Sequence, residues 1–322
     1  MRRSGRSLLL FSTLALATGP AMAEQPVSKS ATPATNSSPA SEPQLPTAAD
    51  VAVDIVQPGT SAKSVRDSAR AAVPVGKLAP EHQRLAQSVL GDISLFRRLP
   101  TVRAKLDPRV YQYFIDNPDA AVSIWRVLGI SKLELKQKSP GIFEADTGDG
   151  SSGTVSLLHR TPTSCIVFCD GLFKSPVLAK PIKARALVTL NAVIEPQADG
   201  TTNITHTADM FVSFPSLAVE TIARMVSPLS YKYADRNIEE ITSFLRMMDV
   251  SMSRQPGWIE QIAQLMEGVS EERNRQLLQV TAAVYVDAQR RSFASRGEAF
   301  QLKSIQPPVQ KVSGAESATR TK

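Results

Sequence analysis

Residues 184–214 read ARALVTLNAVIEPQADGTTNITHTADMFVSF, and this stretch decides the fold of the chain. Apolar side chains recur at every second position on both sides of the turn at 197–200, which is the period of a β-strand. A connection this short joins antiparallel strands, because parallel pairing needs a crossover of roughly a dozen residues or more. The stretch therefore predicts a long β-hairpin.

Four shorter strands precede this hairpin. They are predicted near residues 133–136, 142–146, 154–159 and 164–173. The turn Ser139-Pro140-Gly141 and a glycine-rich run that begins at Thr147 supply connections between them. Since every connection is short, the six strands together predict an antiparallel meander.

Helical patterns lie on both sides of the meander. Short helices are predicted before it, over residues 81–99, from Asp107-Pro108 onward and over 117–129. After it, residues 235–253 have the cleanest amphipathic pattern of the chain. Its apolar side chains follow each other in steps of three or four: Ile238, Ile241, Leu245, Met248 and Met252. Further helices form a C-terminal extension over 258–302.

These elements predict an α+β fold. The apolar side of a sheet has to be buried, and the long helix at 235–253 is the natural cover for it. We therefore expect the long helix on one face of the sheet and solvent on the other.

This order of elements resembles the helix-grip fold of START-like and polyketide-cyclase-like ligand-binding domains. The resemblance covers about residues 107–253 and rests on the order of helices and strands, without a sequence motif. It implies a sheet that wraps the long helix and leaves a cavity for an apolar ligand. This sequence departs from the pattern twice: no strand is predicted before the short helices, and helices are added after the long one.

The N-terminus has the pattern of an export signal. Arg2, Arg3 and Arg6 precede an apolar run of 11 residues, and Ala21-Met22-Ala23 offers the small-x-small site that signal peptidase cuts. The run is shorter than the roughly 20 residues that a bilayer-spanning helix needs. The prediction is a signal peptide over 1–23, cleaved after Ala23, on a periplasmic or secreted protein.

Composition divides the remainder of the chain. Residues 24–62 and 303–322 are rich in Ser, Pro, Thr and Ala, and they hold too few large apolar side chains to offset the entropy of ordering. They are predicted to be disordered, on either side of one folded domain over 63–302.

The charge of the chain excludes one class of function. The net charge of +7 falls to +4 once the three arginines of the signal are removed, and no basic cluster is interleaved with aromatic residues. Binding to nucleic acid is therefore not predicted. Contact with an anionic membrane surface is compatible with this charge.

A ligand site is predicted between the meander and the long helix. The fifth predicted strand presents small side chains to this side and the sixth presents larger ones, so the two strands can leave room for a ligand. The alternative is an ordinary packed core, in which the alanines accommodate side chains of the helix. The candidate ligand-binding residues are His159, Val188, Leu190, Ile204, His206, Met210, Ile241, Leu245 and Met248.

Few side chains suggest catalysis or metal binding. His159 and His206 are predicted on the apolar faces of their strands, where a histidine either serves a ligand or packs as a neutral core residue. Strand alternation places Asp209 on the face opposite to His206. The chain has no G-x-S-x-G motif, and neither a metal site nor a cofactor is predicted.

Cys165 and Cys169 are the two cysteines of the chain. Four residues along a strand separate their Cα atoms by about 13 Å, whereas the Cα atoms of bridged cysteines lie within about 7 Å of each other. We therefore expect two buried thiols on one face of a strand and no disulfide.

Three hypotheses about function follow. The leading one is an exported, non-enzymatic protein that binds an apolar or lipid-like ligand in the cell envelope. The second is a structural protein of the envelope that binds a protein partner through the helices at 258–296. The third is a cyclase-like enzyme that uses His206 or His159.

Overall fold

The computed structural model describes residues 46–174 and 181–301, with the backbone alone for 217–230. Within these residues the chain forms nine strands and seven α-helices, so the predicted α+β class is confirmed. Three segments that the sequence analysis singled out lie outside the described residues: the signal (1–23), the first part of the spacer (24–45) and the tail (303–322).

One antiparallel sheet contains the nine strands of the described residues. In chain order they are β1 (Asp54–Gln57), β2 (Leu95–Arg98), β3 (Thr101–Lys105), β4 (Glu134–Ser139), β5 (Ile142–Asp146), β6 (Ser152–Thr161), β7 (Ser164–Phe173), β8 (Ile182–Pro196) and β9 (Thr202–Ser213). Their spatial order is β1-β3-β9-β8-β7-β6-β5-β4, and β2 also pairs with β9. From β4 to β9, each strand pairs with the next one along the chain.

The helices begin and end where the local sequence favours it. They are α1 (Lys63–Ala72), α2 (Pro80–Leu90), α3 (Pro108–Asp116), α4 (Pro118–Val127), α5 (Leu217–Arg254), α6 (Pro256–Leu265) and α7 (Glu271–Ser295). Proline at the first position lacks an N–H group that would have no helical partner there, and this suits Pro108 and Pro118. The carboxylate of Asp107 caps α3 by accepting a hydrogen bond from the backbone N–H of Arg109 at 2.9 Å.

The hairpin predicted from residues 184–214 is formed by β8 and β9. Its register places Leu190 opposite Ala208 and Val188 opposite Met210. These four side chains share the face of the sheet that meets α5, because residues directly opposite in an antiparallel pair lie on the same face. A large side chain therefore stands beside a small one at the centre of this face.

The strands before α3 were not expected from the sequence pattern. β2 lies within residues 81–99, which the periodicity assigns to one helix, whereas α2 ends at Leu90. Residues 95–98 pair with β9 instead, and the Arg98 guanidinium donates two hydrogen bonds to the Asp209 carboxylate at 2.7 and 2.8 Å. This long-range pairing overrides the local helical pattern.

The folded sheet also begins earlier in the chain than predicted. β1 lies inside the segment 24–62, whose composition predicts disorder, yet it pairs with β3. All four residues of β1 are exposed, so this edge strand is held by backbone hydrogen bonds rather than by apolar burial. Its two apolar residues, Ile55 and Val56, are themselves exposed.

The sheet carries a packed apolar layer on each face. On one face, the first core joins helices α3–α7 to sheet residues such as Ala186 and Ala208. On the opposite face, α1 and α2 cover the second core, which includes Leu187 and Phe211. The expectation that only one face is covered is therefore wrong, because the segment that precedes β2 folds back as a second helical layer.

The helix predicted over 235–253 lies in the C-terminal half of α5 and packs on the sheet. Ile238, Leu245 and Met248 are buried in the first core, and Thr242 Oγ1 lies 2.9 Å from His206 Nε2 on β9. Complete burial of one such apolar side chain contributes about 1.5–3 kcal/mol to stability. This helix face is therefore a main source of the free energy of folding.

Met248→Ala should lower the free energy of unfolding by about 2–5 kcal/mol, because truncating a fully buried side chain leaves a void in the first core. Met248 is 0% exposed, whereas its neighbour Met247 is only partly buried. Met247→Ala is the matched control and should cost clearly less. Urea unfolding followed by circular dichroism measures both variants, and equal losses would contradict the packing of α5.

Candidate functional site

A cavity of about 340 Å³ lies between the sheet and α5. Side chains from β4–β9 form one wall, α5 forms the facing wall, and α3 and α4 close one side. Ala186 and Ala208 lie in the sheet wall, where short side chains leave space in front of Phe244 and Leu245 of α5. Ligand pockets typically measure about 300–1,000 Å³, so this cavity suits a small molecule or part of a larger one.

Most of the predicted ligand-binding residues lie on this cavity. Six of the nine line it: Val188, Leu190, His206, Met210, Ile241 and Leu245. Ile204 and Met248 are buried in the first core but do not belong to the lining. That the six residues contact a ligand stays a prediction.

His159 does not line the cavity, because an irregularity in β6 changes which face it occupies. Val155 and Leu157 alternate into the cavity as expected. The register then shifts between Leu157 and His159, so that His159 pairs with Ile166, a residue of the second core. Leu157 and Leu158 face the cavity and the second core respectively, as in a regular strand, so the sequence gives no sign of this bulge.

An aromatic wall on α3 and α4 is the part of the site that the sequence pattern does not reveal. Tyr111, Phe114 and Trp125 are buried and line the cavity. The rings of Phe114 and Trp125 both meet Phe244 of α5 edge-on, each with centroids 5.4 Å apart. Their spacing is that of any amphipathic helix, so it does not separate a cavity wall from an ordinary core.

The hydrogen bonds around His206 determine which ring nitrogen carries its proton. Thr242 Oγ1 lies 2.6 Å from the carbonyl oxygen of Ile238, and two oxygen atoms this close need the hydroxyl hydrogen between them. The single hydroxyl hydrogen is thus used, and Thr242 Oγ1 can only accept from His206 Nε2 at 2.9 Å. His206 is therefore protonated on Nε2, and Nδ1 carries a lone pair.

That lone pair on His206 Nδ1 has no hydrogen-bond partner among the described residues. The residue is 3% exposed, so bulk water does not replace the missing partner. Leaving a buried acceptor unpaired costs about 1–3 kcal/mol. His206 is thus a polar position on the cavity wall with unused capacity to accept a hydrogen bond.

Burial also keeps His206 neutral. Desolvation of the charged form lowers its pKa to about 4. The Tyr111 ring stacks beside the imidazole, with centroids 6.0 Å apart. Asp209 faces away from His206, as strand alternation predicts, and pairs with Arg98. His206 is therefore a neutral hydrogen-bonding group near pH 7.

Cys165 and Cys169 both line the cavity as free thiols. Burial raises the pKa of Cys165 to about 11 and that of Cys169 to about 12. The thiolate is the reactive form of cysteine, so these side chains are poor nucleophiles at neutral pH. They act as small apolar parts of the wall.

Four lining residues are exposed, polar or charged, and we call this set the rim: Asp116, Gln137, Pro140 and Arg273. Arg273 of α7 forms an ion pair with Asp119 and donates a hydrogen bond from Nη2 to Gln137 Oε1 at 3.0 Å. Asp116 pairs with Arg160 at 2.6 Å. The charges at the rim therefore cancel in two pairs.

The pair formed by Arg273 and Asp119 is the more deeply buried of the two. The side chain of Asp119 is 1% exposed and that of Arg273 is 14% exposed. Burial raises the pKa of Asp119, and the nearby guanidinium opposes that rise. Residues 119 and 273 lie far apart in the sequence, so no local pattern could have indicated this pair.

Two further features of the described residues bear on function. No group of three or more His, Cys, Asp and Glu side chains is placed to hold a metal ion in the described part of the chain. Within the same residues, no helix combines the length and the apolar character that crossing a membrane requires.

Comparisons with known proteins add little. No protein-family model matches the chain, and no curated protein does. A conserved protein from Geobacillus kaustophilus is 14% identical over 44% of this chain and 93% of its own, with a TM-score of 0.26. An uncharacterized protein from Rhizobium leguminosarum is 16% identical over 45% and 95%, with a TM-score of 0.25. A protein from Rhizobium loti is 15% identical over 42% and 94%, with a TM-score of 0.23. TM-scores this low carry no argument about fold or function.

The lowered pKa of His206 should make stability depend on pH. The side chain titrates near 6.5 when unfolded and near 4 in the folded protein. Between these values the unfolded chain binds more protons, so the free energy of unfolding falls as the pH drops through this window. The loss contributed by His206 is about 3 kcal/mol in total. Urea unfolding between pH 7 and 4 should show a shallower decline for His206→Phe, and parallel curves would contradict this assignment.

Arg273→Leu should lower the free energy of unfolding by about 3–5 kcal/mol, because it leaves the buried Asp119 carboxylate without its partner. Arg275→Leu on the same helix is the control. Arg275 pairs with Glu272 at 2.8 Å, but both side chains are exposed, so its loss should cost about 1 kcal/mol or less. Adding Asp119→Asn to Arg273→Leu should recover part of the loss. Thermal unfolding of the wild type, the two leucine variants and the double variant measures these losses of stability. Similar losses for the two leucine variants would refute the argument.

Proposed function

We propose that this protein binds an apolar or amphipathic, lipid-like ligand in the cavity between the sheet and α5, as an exported, non-enzymatic protein of the cell envelope. The observation that carries the proposal is the cavity of about 340 Å³, whose walls are almost entirely apolar and which ends at a polar rim. An apolar space of this size within a protein interior that otherwise packs closely is typical of a binding site.

The arrangement of elements supports the proposal and makes a helix-grip-like architecture part of it. Strands β4–β9 lie side by side in chain order, and α5, which follows them, packs on the same apolar face. β1–β3 precede α3. The helix-grip pattern has a strand before its short helices, and this chain has such strands although its sequence pattern did not predict them.

The rim supports an amphipathic ligand in particular. An apolar chain buried between Val188 on β8 and Leu245 on α5 would bring the other end of the molecule to the rim. There Gln137 is exposed and Arg273 offers guanidinium N–H groups. A ligand held in this way keeps its polar end in contact with water.

The two alternative functions have less support. A general acid or base works best with a pKa near the operating pH, whereas the pKa of His206 is about 4 and both cavity thiols stay protonated. The helices at 258–296 bury Ile262 and Leu277 in the protein's own first core. Those apolar side chains are already used within the protein's own core.

The mature protein, purified from its source without detergent, should carry an apolar molecule. Native mass spectrometry should show an adduct that disappears after extraction with organic solvent, and the extract should contain the released molecule. The fluorescent probe N-phenyl-1-naphthylamine should then bind the emptied protein and increase in fluorescence.

Val188→Trp should abolish binding of the probe, because the larger side chain fills the cavity. Val193→Trp is the matched control on the same strand, since Val193 is 58% exposed and lies outside the cavity lining. Circular dichroism and thermal unfolding show whether both variants fold. Probe binding that survives Val188→Trp in a folded protein, or a wild-type protein that binds neither probe nor lipid, would overturn the proposal.

A further inference from the structure

The unpaired Nδ1 of His206 indicates which chemical group a ligand of this cavity should carry. His206 lies on the cavity wall, at a position of β9 that is otherwise surrounded by apolar and aromatic side chains such as Ala208 and Tyr111. Its Nε2–H is used by Thr242, and its Nδ1 has no partner among the described residues. Within the described part of the chain, the residues of the wall therefore hold an unpaired acceptor, His206 Nδ1, and an unpaired donor, Trp125 Nε1, in an otherwise apolar setting.

Thr242 keeps this acceptor in place. Its hydroxyl hydrogen is held by the carbonyl oxygen of Ile238, one turn earlier in α5. If His206 carried its proton on Nδ1 instead, Nε2 and Thr242 Oγ1 would face each other at 2.9 Å without a hydrogen between them. Thr242 is thus a positioning residue, because it fixes the protonation of His206 without lining the cavity itself.

The charges around the cavity favour a neutral ligand. At the rim, Asp116 is paired with Arg160, and Arg273 is paired with Asp119. Neither pair leaves an uncompensated charge for an ionised group to bind. Deeper in the cavity, a buried ammonium or carboxylate would have to give up its hydration without a counter-ion, which is far costlier than burying a neutral hydroxyl that finds a hydrogen bond.

We infer that the cavity selects a neutral apolar molecule that bears a hydroxyl group, and that this hydroxyl donates a hydrogen bond to His206 Nδ1. The inference rests on the proposed function and specifies its ligand class. A hydroxyl supplies the hydrogen that Nδ1 lacks. An ether or ester oxygen of similar size supplies only lone pairs, and it would be repelled by the lone pair of Nδ1.

Matched ligands test this inference directly. 1-Decanol and decyl methyl ether share the same apolar chain, but only the alcohol can donate a hydrogen bond. In displacement of N-phenyl-1-naphthylamine from the delipidated mature protein, the alcohol should bind about tenfold more tightly than the ether. Equal affinities would overturn the inference, since the ligand hydroxyl would then gain nothing from Nδ1.

Two variants test whether His206 causes the preference for the alcohol over the ether. His206→Phe keeps a ring beside Tyr111 but removes the acceptor, so the alcohol should bind no better than the ether. Thr242→Val keeps His206 and the cavity wall but releases the proton from Nε2, so the preference for alcohol should fall here as well. If His206→Phe does not fold, Thr242→Val alone still decides. A tenfold preference that persists in a folded variant refutes the role of Nδ1.

The outcomes separate this inference from the proposed function. Wild-type protein that binds both ligands equally retains the proposed function and loses the hydroxyl preference. Wild-type protein that binds neither ligand and no probe loses both. A preference present in the wild type and reduced in both variants supports both.

Discussion

The register of β8 against β9 is the constraint on which the interior of this protein depends. It sets Val188 opposite Met210 and Leu190 opposite Ala208 on the face that meets α5. Because side chains alternate between the two faces of a sheet, a slip by one residue would turn this whole set toward α1 and α2. The same register brings His206 within hydrogen-bond distance of Thr242. The packing of the long helix, the space left beside it and the place of His206 in the cavity wall thus follow from one pairing.

The site departs from two general rules of protein interiors. Buried polar atoms are normally paired, and interiors are normally filled, yet His206 Nδ1 is unpaired and the space in front of Ala186 and Ala208 is open. Both departures cost stability. They occur together on one wall, whereas the buried Arg273–Asp119 pair and the aromatic contacts of α3 and α4 with α5 stabilise the surroundings.

Part of this could be predicted from the sequence. The period-two pattern of residues 184–214 and the apolar steps of 235–253 are strong local signals, and the structure has the predicted hairpin and the predicted helix beside it. Six of the nine candidate residues line the cavity, and their contact with a ligand stays a prediction. Where local signals end, prediction failed. β2 adopts its strand because β9 offers a free edge, and a helical pattern at 81–99 contains no information about that partner. His159 changes face at a bulge that no residue pattern indicates. Arg273 pairs with Asp119, which lies 154 residues earlier in the chain. Helices α3 and α4 form a cavity wall only because of where they pack in the fold.

The helical layer of α1 and α2 has a consequence for what the interior can hold. Because of this layer, side chains pack on both faces of the sheet. Leu187 therefore lies in the second core, whereas its neighbour Val188 lines the cavity. If the sheet bent outward to accept a larger ligand, Leu187 and Phe211 would lose their packing in the second core. Residues of the second core, which do not line the cavity, therefore limit the size of the ligand that the cavity can accept.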